Sequence, residues 1–88
     1  MDLRDIRNRI DEIDTALVDL LVKRMEITKE VADYKRKNGI PVLDRERELA
    51  VLEKRAQQAG DVYGPYIREI YEKIFEQSRA HQEKLLEG

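Results

Sequence analysis

The chain has 88 residues, 41% of them hydrophobic and an equal 41% charged, with a net charge of -2 and no cysteine. That length allows one domain at most, and a chain so short buries a modest fraction of its surface and often needs a partner. The composition is too apolar for a disordered chain, the charge gives no electrostatic footprint for nucleic acid, and the missing cysteines exclude a disulfide framework, a thiolate metal site and a cysteine nucleophile.

The opening "MDLRDIRNRIDEID" is charged from its second residue, so it does not read as a signal peptide, and no uninterrupted apolar run approaches membrane-spanning length. A cytoplasmic protein is expected. The first helix should run from about Leu3 to Asn38, because neither proline nor glycine interrupts it before "NGIP", where Gly39 suits a left-handed cap and Pro41 forbids continuation. A helix of about 35 residues is roughly 50 Å long, more than a domain of this size is wide. Part of its apolar stripe therefore needs cover from a second chain, and a dimer is expected.

Along that helix a four-three spacing collects Ile6, Ile10, Ile13, Leu17, Leu20, Arg24, Ile27, Val31 and Tyr34 on one face. Arg24 is the sole polar member of the line. Lys35 follows it by eleven residues, close to three full turns, and projects on nearly the same side. Arg7 precedes Arg24 by seventeen residues, about 25 Å along the axis, so the two cannot grip one small ligand within one chain. In an antiparallel dimer, Arg7 of one subunit could complete the site of the other.

After a short loop, Asp44 can cap a second helix that ends near "QQAG" with Gly60 as its stop. Its stripe of Leu49, Leu52, Ala56 and Ala59 is thin. Its start, "PVLDRERE", holds two Arg-Glu pairs, and periodicity does not single out Arg47 over Arg45, leaning slightly to Arg45. "DVYGP" reads as a turn, and Pro65 can occupy the first turn of a third helix carrying Ile67, Ile70, Tyr71, Ile74 and Phe75. Continuing that face along Tyr71, Ile74, Ser78, Gln82 and Leu85 puts two polar side chains, i,i+4 neighbours, on an apolar stripe. His81, the only histidine, reads as surface.

Taken singly, each polar intruder has a structural explanation: Arg24 as a register device, Lys35 as a partner of the helix dipole, Ser78 and Gln82 as fraying last turns. Taken together, they describe a sequence that accepts the cost of burying polar groups several times over. The expected architecture is all-α, three helices of long, short and medium length, intertwined as a homodimeric bundle, with residues 1–88 forming one domain.

Across essentially the whole chain these signals resemble the all-helical chorismate mutase family. The family's opening pattern stands here as "IRNRIDEID", its mid-helix arginine in "LLVKRMEI", its helix-end lysine in "VADYK", its loop signature as "PVLDRERE", and its serine and glutamine in "IFEQSRAHQ". The resemblance implies conversion of chorismate to prephenate by an intramolecular [3,3] rearrangement, in phenylalanine and tyrosine biosynthesis, with no cofactor, metal or proton transfer. It implies that Arg7 of the partner subunit and Arg24 bind carboxylates, and that Lys35 reaches a carboxylate and the ether oxygen. Gln82 would donate to that same oxygen, while Glu48 takes the ring hydroxyl with help from the backbone near Asp44. Arg47 and Ser78 would support the ring carboxylate.

An isochorismate-pyruvate lyase on the same scaffold is the nearest alternative, but the complete "PVLDRERE" with Glu48 looks like the mutases. A non-enzymatic helical dimerisation module is the alternative of another class; it gives Lys35, Ser78 and Gln82 no reason to share a pocket with Arg24. The family also occurs fused to prephenate dehydratase, prephenate dehydrogenase or the first enzyme of the shikimate pathway. A free-standing mutase or an excised domain is expected, with a non-covalent complex with another pathway enzyme as a further possibility.

Overall fold

A computed structural model describes residues 2–87 of the chain. Its first helix, α1, spans Leu3–Lys37. Asp2 caps it: the side chain accepts from the Asp5 amide at 3.0 Å while the Asp5 carboxylate accepts from the Asp2 amide at 3.3 Å, satisfying two of the donors every helix start leaves open. The other end closes as the glycine predicts. Gly39 takes φ +64°, and the Ile40 and Gly39 amides turn back to the Lys35 and Arg36 carbonyls at 2.8 and 3.4 Å, a paired closure that needs the left-handed residue.

The second helix, α2, spans Arg45–Glu87 and is broken at Gly60, where φ 88° and ψ 175° leave helical space. Asp44 caps it as expected, its carboxylate accepting from the Arg47 amide at 3.0 Å. The arms on either side of the break, residues 45–59 and 61–87, lie back to back. Ion pairs Glu53–Arg68 at 3.1 Å, Arg45–Glu72 at 3.2 Å and Glu48–Arg79 at 2.5 Å each join a residue before Gly60 to one after it, at separations of 15, 27 and 31 residues along the chain, as two antiparallel arms require. Gly64 permits the closest approach, since a Cβ there would lie 2.9 Å from the Ala56 carbonyl oxygen.

The all-α expectation stands, with two helices and no strand among the described residues. The expected three helices correspond to α1 and the two arms of α2, parted at Gly60, the stop expected for the second helix. "DVYGP" is not a turn: residues 61–65 are already helical, and Pro65 sits inside α2. A glycine at positive φ reverses the chain in one residue, so no separate loop is needed.

The packed core is small, namely Ala32, Val42, Leu52, Ala56 and Phe75. The molecule measures 55 × 29 × 14 Å with a radius of gyration of 16.1 Å. A compact chain of this length would have about 12 Å. Among the described residues no helix is long and apolar enough to cross a membrane.

Candidate active site

The last four turns of α1, the connecting loop and both arms of α2 enclose one cavity of about 570 Å³, open on one side, within the size range of small-molecule sites. Phe75 forms its floor, 5% exposed and meeting Tyr71 edge-on with ring centroids 5.8 Å apart. The Arg24 guanidinium lies over the Phe75 ring at 5.6 Å. An aromatic face holds the cation through its quadrupole while leaving the guanidinium edge free for a carboxylate. This is where the polar member of the α1 line points.

Lys35, half-buried, donates from Nζ to the Val42 carbonyl at 2.8 Å, which fixes its ammonium at the cavity wall. Glu48 is buried, at 8% exposed, and both its oxygens accept from Nη1 of Arg79, at 2.6 and 2.5 Å. Ser78 and Gln82 are buried too, and Gln82 Nε2 donates to Ser78 Oγ at 3.1 Å. Gln82 Oε1 is buried with no hydrogen-bond partner, an unsatisfied polar atom in the wall of a cavity.

Of the eight residues singled out in the sequence, Arg24, Lys35, Asp44, Arg47, Glu48, Ser78 and Gln82 all line this cavity. Arg7 does not; it is exposed, near the far end of α1. The two arginines that periodicity could not separate part company here. Arg45 turns away to grip Glu72 at 3.2 and 3.3 Å, and that carboxylate holds it above the usual guanidinium range, whereas Arg47 faces the cavity. Asp44 spends its carboxylate on the helix cap.

Sequence reasoning missed Thr28, Lys54, Arg55 and Arg79, which also line the cavity. Arg79 was findable: it follows Phe75 by four and adjoins Ser78, so it flanks the same face of the second arm. His81 is half-buried rather than on the surface, with its Nδ1 enclosed and unpartnered. The cavity gathers six cationic side chains against two carboxylates in a chain whose net charge is negative, which suits an anionic ligand. Among the described residues no group of three or more His, Asp or Glu is arranged to hold a metal ion.

Fold and site together define a helical small-molecule site built for a compact anion. The model of the type II chorismate mutase family matches residues 6–83, and the chain belongs to that family. It is 32% identical over 87 residues to a chorismate mutase of Methanocaldococcus jannaschii, covering 97% of this chain and 88% of that protein. It is 37% identical over 79 residues to a T-protein of Haemophilus influenzae, covering 78% of this chain and 21% of that one. It is also 37% identical over 87 residues to a bifunctional chorismate mutase/prephenate dehydratase of Buchnera aphidicola, covering 97% of this chain and 23% of that one. The chain thus spans about a fifth of the length of the last two and most of the first. No solved structure matches it significantly.

Proposed function

We propose that this chain is a chorismate mutase, converting chorismate to prephenate by an intramolecular [3,3] rearrangement, and that it works as an antiparallel homodimer of interlocked helices. The observation that carries the reading is the convergence of seven residues, drawn from α1, the loop and both arms of α2, on one cavity. Such a rearrangement calls for a flexible substrate held with its reacting carbons close, and for donors aimed at the oxygen that gains charge as the C–O bond breaks. Preorganised geometry supplies several kcal/mol, and a buried donor at a developing oxyanion about 3 to 4 kcal/mol more.

Arg24, braced on Phe75, takes one substrate carboxylate in a forked contact. Lys35 and Gln82 supply donors to the ether oxygen, and Gln82 has one amide hydrogen left after its bond to Ser78. Glu48 accepts from the ring hydroxyl, beside the backbone near Asp44, and Arg47 and Ser78 support the ring carboxylate.

The homodimer is supported by surface. The single chain exposes 7260 Å², against about 5,400 Å² for a compact monomer of its mass. Hiding that excess on each of two chains gives an interface well above the roughly 2,000 Å² at which obligate dimers begin. An antiparallel partner would also bring its Arg7 across the open side of the cavity. A reducing compartment such as the cytoplasm suits a chain without cysteine.

The test is to incubate the purified protein with chorismate, and separately with isochorismate, and to identify the products by NMR. Prephenate from chorismate is the expected outcome. Pyruvate and salicylate from isochorismate alone would replace the mutase with the lyase, and no turnover of either would leave a helical module.

A further inference from the structure

We propose that Arg79 is a positioning residue, which holds the Glu48 carboxylate aimed into the cavity and thereby sets how well the site takes a substrate hydroxyl. The inference rests on reading the cavity as a chorismate site.

Glu48 is the most enclosed charged group of the molecule. A carboxylate removed from water is costly unless a cation stands against it. Two arginines are near. Arg45 reaches Glu48 from one nitrogen at 3.4 Å, and that same nitrogen is shared with Glu72 at 3.3 Å, so its hold on Glu48 is weak. Arg79 approaches to 2.6 and 2.5 Å, and it is the effective counter-ion.

The geometry of the contact matters as much as its charge. One nitrogen, Nη1, sits between both carboxylate oxygens, so a single donor sets the direction of the group. A carboxylate can accept about four hydrogen bonds, and with Arg79 on both oxygens and the long Arg45 contact on Oε1, Oε2 keeps a lone pair for a hydroxyl. The pair also spans the fold. Glu48 stands on the first arm of α2 and Arg79 on the second, 31 residues later, at the end of the antiparallel pair away from Gly60. With its charge matched by Glu48, Arg79 does not compete with Arg24, Arg47 or Lys35 for the substrate's carboxylates.

The pairing predicts a specific dependence, testable by a double-mutant cycle in which kcat and KM for chorismate are measured for the wild type, Arg79→Met, Glu48→Gln and the double variant, with helicity followed by circular dichroism. Arg79→Met should lose about ten- to a hundredfold in kcat/KM, chiefly through KM, because the hydroxyl contact exists in ground and transition state alike. Introduced into Glu48→Gln, the same change should cost less than about twofold, since the group it positions no longer needs an ion partner. Arg79→Lys, which keeps the charge, should recover part of the loss. An equal loss in both backgrounds overturns the inference, as does an Arg79→Met enzyme with wild-type kinetics. A folded wild type that does not turn over chorismate overturns the reading of the site, and this inference falls with it.

Discussion

The two halves of α1 carry one apolar line but meet different surroundings. From Arg24 onward the helix packs on α2, burying Ala32 and half-burying Arg24, Thr28 and Lys35 around the cavity. Before it, Ile6, Ile10, Ile13, Leu17 and Leu20 are between 42% and 65% exposed and touch no other element of their own chain closely enough to be covered. The apolar line itself stays open beyond Arg24, where Ile27, Val31 and Tyr34 are 60%, 40% and 64% exposed; what differs is that the second half lays Arg24, Thr28, Ala32 and Lys35 against α2, and the first half lays nothing. A helix of this length outruns its own fold, and the partner proposed above would lie against that uncovered half.

The largest effect that can break this contrast comes from Arg24→Ala. Loss of a preorganised donor should reduce kcat by about a hundred- to a thousandfold or more. The melting temperature should hold or rise, because the variant removes a half-buried charge from an apolar line. Full activity together with added stability would mean that the residue serves register alone.

Next in size is Ile13→Glu, at the centre of the uncovered half. Ile13 is 65% exposed within one chain, so the substitution leaves intrachain packing intact. In the proposed dimer it drives a carboxylate into the seam, and sedimentation equilibrium should report monomers with little mutase activity. A variant that remains dimeric and active removes this face from the interface.

Gly64→Ala tests the covered region instead. The added methyl would meet the Ala56 carbonyl oxygen at 2.9 Å, so the arms of α2 must part. Overpacking of this kind costs about 1 to 3 kcal/mol, or roughly 4 to 8 °C in Tm per kcal/mol for a domain this small. An unchanged Tm would show that the arms slide past each other freely.

The smallest effect belongs to Asp33, half-buried near the end of α1, whose carboxyl is held below its ordinary value of 3.8 by hydrogen bonds from Lys37 and Arg36. Because the folded value is depressed, its contribution is present above the unfolded value and is lost as pH falls through the folded one. Asp33→Asn should lower Tm slightly at neutral pH and make no difference in strong acid, read from thermal melts across that range. A difference that persists in acid would assign the effect to packing.

Much of this protein was legible one residue at a time. Local rules gave the limits of α1, because a glycine at positive φ and a following proline end a helix regardless of what surrounds it, and they gave the Asp44 cap for the same reason. Helical spacing found Arg24, Lys35, Ser78 and Gln82 on apolar faces, and the resemblance added Arg47 and Glu48, all of which line the cavity. Other features were out of reach of local rules. Arg45 and Arg47 sit two residues apart with the same chemistry, and only the position of Glu72 on the opposing arm draws one of them away. "DVYGP" has the composition of a turn, yet Gly60 reverses the chain alone and the segment after it is helical. Arg79 acquired its partner from a residue 31 positions earlier. The sequence by itself determined the helices, their caps and the residue types that a dianion needs, because those follow from backbone geometry and from spacing along one axis. Which charged side chains face one another was decided by tertiary structure alone, because ion pairing depends on distances across the fold that no local pattern encodes.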